Sequence, residues 1–165
     1  MTGAADGSAR RALVVTVSNR ASAGLYDDRA GPVLVDGLRE LGFVVDGPQL
    51  VRDGEPVLAA LPAAVDATYD VVLTTGGTGL SPLDLTPEMT ARVIERPAPG
   101  IAEAVRAAGV AKGVPTAALS RGLAGLAGTT IVVNLPGSPG GAKDGLAVLA
   151  GLLVHAVDQV HGGDH

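Results

Sequence analysis

Continuous apolar runs recur along this chain, and they predict buried β-strands. Residues 12–17, 70–74 and 130–135 are rich in valine, leucine and other apolar residues. Their apolar positions do not alternate with polar ones, which is typical of strands covered on both faces of a sheet. Residues 43–50 predict a further strand, and residues 115–119 form a weaker strand candidate.

Helical patterns fill most of the intervals between these strands. The strongest start signal is Thr86-Pro87-Glu88, which offers a capping residue, a proline in the first turn and an early acid. Pro62 lies inside another helical segment, where we expect it to kink or interrupt the helix. The other predicted helices cover residues 33–41, 55–68, 101–108 with an end at Gly109, and about 142–160.

This alternation of strands and helices predicts an α/β fold. We expect three layers, with a mostly parallel sheet and helices on both of its faces. A chain of 165 residues suits one domain that buries about 70% of its unfolded surface. Residues 11–161 are therefore expected to form a single domain, with loose tails at residues 1–10 and 162–165.

The charge balance excludes one class of partner. The net charge is −5, from 12 basic and 17 acidic residues, whereas nucleic-acid binding needs a basic surface. Lys112 and Lys143 are the two lysines of the chain. Phosphate contacts would therefore fall mainly to arginines and to backbone N–H groups.

Other chemistries and locations are excluded by what the sequence lacks. Without cysteine, the chain has no disulfides, thiolate metal sites or cysteine nucleophiles. The first residues show no apolar signal region. The longest apolar stretch, residues 146–154, is shorter than the ~20 residues that a membrane span requires. We expect a cytoplasmic protein with no membrane partner.

A glycine-rich segment follows the predicted strand at residues 70–74. Its residues are Thr75, Gly76, Gly77, Thr78 and Gly79. Ligands of open α/β sheets bind at the carboxyl ends of strands, and clustered glycines let backbone N–H groups point at an anion. The segment is neither a P-loop nor a dinucleotide-binding fingerprint. The alternative is a tight turn that only needs positive φ angles.

Two aspartates follow strand ends and are candidates for a metal. Asp84 lies shortly after the glycine-rich segment, and Asp53 follows the strand at residues 43–50. A carboxylate beside an anion-binding loop repels phosphate unless a cation intervenes, so we interpret both as ligands of Mg²⁺. The alternatives are that Asp84 assists the cap of the next helix and that Asp53 forms a local turn before Gly54.

Further polar residues follow the remaining strand ends. Arg20 and Arg121 are candidates to bind phosphate through two N–H groups, although a solvated surface arginine is the simpler interpretation of either. The loop after residues 130–135 leads into the last helix and would hold a phosphate or a base; an ordinary connection is the alternative. The candidate residues of these loops are Ser18, Ser120, Arg121, Asn134, Pro136, Gly137 and Ser138.

Taken together, these motifs resemble the MoaB/Mog family of molybdenum cofactor biosynthesis, the molybdopterin adenylyltransferases. Five segments occur in family order between Arg11 and about Val160. They are Ser18-Asn19-Arg20-Ala21-Ser22-Ala23-Gly24, Thr75-Gly76-Gly77-Thr78-Gly79, Asp84-Leu85-Thr86-Pro87-Glu88, Leu119-Ser120-Arg121-Gly122 and Asn134-Leu135-Pro136-Gly137-Ser138-Pro139.

The resemblance implies transfer of AMP from Mg-ATP to the terminal phosphate of molybdopterin, with release of pyrophosphate. It implies a homotrimer, in some members a hexamer, and a downstream metal-insertion protein as a partner. The family's two acids fall on Asp84 and Asp53. The loops that cradle pterin and nucleotide fall on residues 76–79, Ser120 and residues 134–138.

Three positions depart from the common family pattern. Leu83 stands where many members carry arginine, and Asn19 where aspartate is frequent. Gly140-Gly141 replaces a lysine that is common after the proline, which leaves Lys143 as the nearest cation. The competing interpretation of the chain is a non-catalytic molybdopterin-binding or scaffold protein.

Overall fold

The computed structural model describes residues 7–164. Residues 7–10 of the predicted N-terminal tail carry no helix or strand, and residues 1–6 and 165 of the predicted tails lie outside the described part. The strands are β1 Arg11–Val17, β2 Val44–Val51, β3 Val71–Thr75, β4 Arg96–Pro97, β5 Ala124–Ala127 and β6 Thr130–Leu135. The helices are α1 Asn19–Ser22, α2 Ala30–Glu40, α3 Glu55–Asp66, α4 Thr86–Ala91, α5 Pro99–Ala111, α6 Pro139–Ala150 and α7 Leu153–Val160, with a 3₁₀ helix at Pro115–Leu119.

Six strands form one sheet in the order β2-β1-β3-β6-β5-β4. The four strands from β2 to β6 pair in parallel, whereas β5 is antiparallel to β6 and β4 is antiparallel to β5. The prediction of a mostly parallel α/β sheet is confirmed. The antiparallel edge was not predicted, because β5 is built of small residues and β4 has two residues, so neither has a strand-like pattern.

Each face of the sheet is covered by a separate layer of helices, which makes the three predicted layers. Alternate residues of one strand point to opposite faces: Val14 belongs to one apolar cluster, and Leu13 and Val15 belong to the other. The first cluster includes residues of α2, α5, α6 and α7. The second includes residues of α3, with Met89 of α4 packed against it. Both clusters share the buried central strands.

The last predicted helix is wrong in one respect. The structure divides it into α6 and α7, whose axes differ by 56°. Leu149 and Leu153 are both fully buried in the same apolar cluster on either side of the break. Because α6 and α7 pack against the same apolar cluster, their apolar residues keep a helical spacing across the break. The sequence pattern therefore does not reveal that the helix is divided.

No single helix within residues 7–164 is long and apolar enough to cross a membrane. Together, α6 and α7 reach the length and composition of a span, but as a bent pair.

Two further element predictions are wrong. Residues 115–119 form a 3₁₀ helix rather than a strand. Helix α5 does not end at Gly109 but continues to Ala111. Gly109 is buried, and a Cβ atom there would crowd the side chain of Ala117 in the 3₁₀ helix. The absence of a side chain at Gly109 lets α5 pack closely against the 3₁₀ helix, and the glycine does not end α5. Pro62 does not interrupt its helix, because α3 runs without a break from Glu55 to Asp66.

The register of the parallel strands brings several loops to one edge. Thr75 at the end of β3 pairs with Thr16 near the end of β1 and with Leu135 at the end of β6. Val17 pairs with Val51 at the end of β2. The loops that follow β1, β2, β3 and β6 therefore leave the sheet side by side, where open α/β sheets bind ligands.

Candidate active site

Two cavities open at this edge of the sheet and share a border. The first cavity has a volume of about 330 Å³ and includes residues of the loops after β1, β2 and β3. The second cavity has a volume of about 590 Å³ and extends toward α5, the 3₁₀ helix and the start of α6. Gly77, Asp84 and Gly137 line both cavities. A ligand pair that reacts across the two cavities would meet at these three residues.

The carbonyl groups of the glycine loop (residues 76–79) are held by protein donors. The Gly77 carbonyl accepts a hydrogen bond from the N–H of Thr86 at 3.2 Å. The Thr78 carbonyl accepts from the backbone N–H of Arg121 at 2.8 Å, and the Gly79 carbonyl accepts from Arg121 Nε at 2.8 Å. Three consecutive peptide groups are thus fixed in orientation.

Fixed carbonyls also fix the N–H groups of the same peptides. In a trans peptide the N–H points away from the carbonyl, so the N–H groups of Thr78, Gly79 and Leu80 face away from those donors. Within residues 7–164, none of the hydrogen bonds uses these three N–H groups or that of Gly77. A row of N–H groups without acceptors is suited to bind an anion.

Arg121 does not lie on the wall of either cavity. Besides Gly79, its guanidinium donates to the Asp84 carbonyl at 2.8 Å and to the carboxylate of Glu88. This contact lowers the pKa of Glu88 and raises that of Arg121. The predicted phosphate contact of Arg121 therefore has no support in the geometry, because its donors already bond protein acceptors. Arg121 instead connects the glycine loop to the loop of Asp84.

The Arg121–Glu88 contact predicts a dependence of stability on pH. The folded-state pKa of Glu88 lies below its ordinary value of 4.5, so its contribution is present above that value and is lost as the pH falls through the folded-state pKa. We expect Glu88→Gln to lower the urea midpoint modestly at neutral pH, and the difference from wild type to shrink in acid. Glu40→Gln on the exposed surface of α2 is the control. A difference that stays constant across the pH series would contradict the prediction.

Asp53 holds the start of α4. Its Oδ1 accepts from the N–H of Gly54 at 2.8 Å and from the hydroxyl of Thr86 at 3.0 Å, and its Oδ2 accepts from the N–H of Leu85 at 3.0 Å. The predicted capping role of Thr86 is wrong. Leu85 is the N-cap residue of α4, and the Thr86 hydroxyl donates a hydrogen bond to Asp53. The bond from Asp53 to Gly54 joins adjacent residues, whereas the Asx-type turn of the alternative interpretation needs the N–H two residues further on.

Asp84 is much less engaged than Asp53. Its Oδ2 accepts one hydrogen bond, from the N–H of Ser81 at 3.0 Å, and its Oδ1 accepts none from residues 7–164. It does not cap α4. A Cβ atom at Gly79 would crowd its carboxylate, so Asp84 lies directly against the glycine loop. The side chain is half-buried on the border of the two cavities.

These two aspartates fit a magnesium ion that is delivered with a phosphate ligand. Magnesium usually takes one or two carboxylates, phosphate oxygens and waters rather than a complete protein cage. Among the described residues no group of three or more acidic or histidine side chains is arranged as a metal site. Asp84 has a free oxygen, and a carboxylate has about four acceptor positions, of which Asp53 uses three.

The other predicted residues divide between the cavities. Ser18, Thr75 and Gly76 line the first cavity, together with Arg20. The predicted residues that line only the second cavity are Thr78, Gly79, Ser120, Pro136 and Ser138. Ser138 is also the N-cap of α6, where its hydroxyl accepts from the N–H of Gly141 at 3.0 Å.

Asn134 lies beneath the site rather than in it. Its side chain is 2% exposed. Its Nδ2 donates to the hydroxyls of Thr74 and Thr90, both at 2.9 Å, and its Oδ1 accepts from the N–H of Leu123 at 3.1 Å. The predicted contact with substrate has no support in this geometry, because a ligand cannot reach a buried amide that is fully bonded. Asn134 instead ties β6 to β3 and α4.

The structure adds residues that the sequence did not single out. Asp28 lines the first cavity and accepts from the Thr16 hydroxyl at 2.7 Å and the Gly31 N–H at 2.9 Å. Arg106 lines the second cavity from the middle of α5. Asp28 lies several residues beyond β1, next to α2, and Arg106 lies inside α5; neither belongs to a recognisable motif, so no signal in the sequence separates them from surface charges.

Comparisons with known proteins identify the family of the chain. The family described as the probable molybdopterin binding domain matches residues 13–155. The molybdenum cofactor biosynthesis bifunctional protein of Synechococcus elongatus is 40% identical over 156 residues, which are 93% of this chain and 48% of that protein. The molybdopterin adenylyltransferase of Helicobacter pylori is 33% identical over 153 residues, 90% of this chain and 86% of that protein. The chain thus spans about half the length of its bifunctional relatives.

Solved structures show the same fold. The molybdopterin biosynthesis Mog protein from Mycobacterium ulcerans superposes with a TM-score of 0.88 at 50% identity, over 92% of this chain and 99% of that one. MoaB from Thermus thermophilus superposes with a TM-score of 0.86 at 40% identity, over 92% and 96%. By sequence and by fold, the chain belongs to the MoaB/Mog family of probable molybdopterin-binding domains.

Proposed function

We propose that this chain is a molybdopterin adenylyltransferase, which transfers AMP from Mg-ATP to the terminal phosphate of molybdopterin and releases pyrophosphate. The observation that carries the proposal is the row of N–H groups without acceptors at Thr78, Gly79 and Leu80, next to Asp84 on the border of two cavities. The name of the Helicobacter pylori relative is consistent with this activity.

The reaction needs alignment and charge neutralisation from the protein. An oxygen of the molybdopterin phosphate forms a bond to the α-phosphorus of ATP, and the bond from that phosphorus to the bridging oxygen of pyrophosphate breaks. The attacking phosphate is already ionised, so no general base is required. Transfers of this kind depend on positioned donors and in-line geometry rather than on covalent catalysis. The N–H groups of the glycine loop supply such donors without reorganisation.

Asp84 would hold the magnesium ion that accompanies ATP, with the remaining acceptor position of Asp53 as a second ligand. When bound, the ion neutralises negative charge on the phosphate oxygens. Arg121 keeps the two halves of the site together, because it bonds the Gly79 and Asp84 carbonyls. Asp53 acts from beneath by fixing the start of α4, immediately after Asp84.

Assembly and location belong to the same proposal. The resemblance to the family supports a homotrimer, or a hexamer in some members, and a downstream metal-insertion protein that receives the product. Because ATP is the nucleotide donor, we place the reaction in the cytoplasm. Light scattering on the purified chain tests the oligomer, and the mass of a monomer would contradict it.

The direct test is an assay for the product. Purified protein is incubated with molybdopterin, ATP and Mg²⁺, and adenylylated molybdopterin is detected by mass. We expect product with ATP and none with an analogue whose α,β-bridging oxygen is replaced by methylene, because that bond must break. Molybdopterin that stays bound without conversion would overturn the transferase and indicate the non-catalytic binding protein.

A further inference from the structure

The second cavity contains one cation that the proposed mechanism does not use. Arg106 projects from α5 onto its wall and is half-buried. Its Nη1 donates to the carbonyl of Ser120 at 3.3 Å and to the carbonyl of Gly122 at 2.9 Å. These two bonds hold one edge of the guanidinium against the loop that precedes β5. They leave the other edge of the side chain available.

Among residues 7–164, no carboxylate lies within ion-pair distance of the Arg106 guanidinium, and its Nε and Nη2 have no acceptor. Asp144 also lines the second cavity, but it is paired with Lys112 at 2.7 Å. Of the described residues on the cavity wall, Arg106 is the only arginine or lysine. A fixed, half-buried guanidinium with unused donors is suited to bind a carboxylate or a phosphate.

The rest of the wall is suited to a phosphate attached to a partly apolar group. Thr78 and Gly79, whose N–H groups lack acceptors, line the same cavity. Val105, Val114 and Leu119 supply apolar surface. The first cavity carries three aspartates (Asp28, Asp53 and Asp84) beside Arg20 and Arg29, whereas the second carries Asp84 and the Lys112-paired Asp144 beside Arg106.

We propose that Arg106 binds the phosphate of the acceptor substrate in the second cavity, which residues of the glycine loop also line. The proposal rests on the proposed function for the identity of that substrate, molybdopterin. Arg106 thereby gives the second cavity a cation for a phosphomonoester, and we place ATP in the first cavity, whose wall does not include Arg106.

The test is the affinity of Arg106→Gln for molybdopterin, measured without ATP. A glutamine can still donate to the Ser120 or Gly122 carbonyl but carries no charge. We expect the dissociation constant to rise by about tenfold or more, since a hydrogen bond to a charged group is lost. Its dependence on salt should also flatten, because salt screens a charge that the variant lacks. Affinity for Mg-ATP should stay near that of wild type.

Two further variants separate binding from folding. Arg39→Gln removes an exposed arginine of α2 and should leave both affinities unchanged. Arg106→Lys keeps the charge but loses the planar pair of donors, so its affinity should fall between those of wild type and Arg106→Gln. Thermal unfolding of each variant shows whether the two carbonyl bonds matter for stability.

The possible results distinguish this inference from the proposed function. If wild type makes product and Arg106→Gln binds molybdopterin as tightly and with the same salt dependence, the inference is overturned and the transferase stands. If Arg106→Gln binds weakly while wild type makes no product, Arg106 is a phosphate-binding residue of a non-catalytic binder. If wild type binds no molybdopterin, both are overturned.

Discussion

The variant Asp84→Asn is expected to lower the rate of adenylyl transfer by about a hundredfold or more, while its affinity for molybdopterin changes by less than about threefold. A rate loss of that size corresponds to removing a few kcal/mol of transition-state stabilisation. Asparagine removes the negative charge that would hold magnesium. It retains an amide oxygen that can accept from Ser81, as Oδ2 of Asp84 does at 3.0 Å, so the loop should keep its shape.

Single-turnover rates and separate binding measurements check this prediction. Asp66→Asn, an exposed change at the end of α3, is the matched control and should have the activity of wild type. Excess Mg²⁺ should partly restore the rate of Asp84→Asn if the loss is one of metal affinity. A parallel loss of turnover and molybdopterin binding, or no loss of either, would remove Asp84 from the role of metal ligand.

Asp53→Asn should behave differently, because its carboxylate accepts three hydrogen bonds. An amide places an NH₂ group against either Leu85 or the pair formed by Gly54 and Thr86, so at least one donor loses its acceptor. Leaving a partly buried donor unpaired costs about 1–3 kcal/mol. We therefore expect Asp53→Asn to lower both stability and activity, which denaturant unfolding beside the rate measurement would show. Full stability in this variant would contradict the positioning role of Asp53.

The variant Gly76→Ala is expected to lose about 3–5 kcal/mol of unfolding free energy. Gly76 has φ +104°, a conformation that residues with a Cβ atom rarely adopt. A Cβ atom there would lie well inside 3.0 Å of the carbonyl oxygen of Val17, closer than real Cβ atoms approach. That oxygen belongs to the backbone of β1, and the N–H of Gly76 donates to the Leu135 carbonyl at 3.0 Å. Neither neighbour can move without disturbing the sheet.

A matched glycine is available as the control. Gly100 lies in the first turn of α5, and nothing lies within 4 Å of the position of its Cβ atom. Gly100→Ala should be neutral or stabilise the protein by up to about 1 kcal/mol, because alanine lowers the entropy of the unfolded chain. Urea unfolding of both variants measures the contrast. A Gly76→Ala variant within about 1 kcal/mol of wild type would show that the strand ends tolerate movement.

The sequence by itself determined the layered α/β fold and the position of the candidate site. Strands β1, β3 and β6 are buried on both faces. A strand buried in this way has a nearly unbroken apolar run in its own sequence, so it can be predicted locally. The edge at which the loops meet follows from the parallel order of strands. For the same reason the sequence alone points to the glycine loop, Asp53 and Asp84 as candidate site residues. Where the local pattern was weak, as in β4 and β5, the prediction failed.

Only the tertiary structure decided what the individual polar side chains do. Arg121 and Asn134 lie in motifs that predict contact with substrate, whereas Arg106 lies inside a predicted helix with no such signal. In the structure Asn134 is buried under the site, Arg121 joins two loops, and Arg106 lines the second cavity. Their partners lie far away in sequence, up to 60 residues for the Asn134–Thr74 bond. A local pattern reports burial and periodicity, whereas the role of a polar group depends on which distant donors and acceptors the fold places beside it.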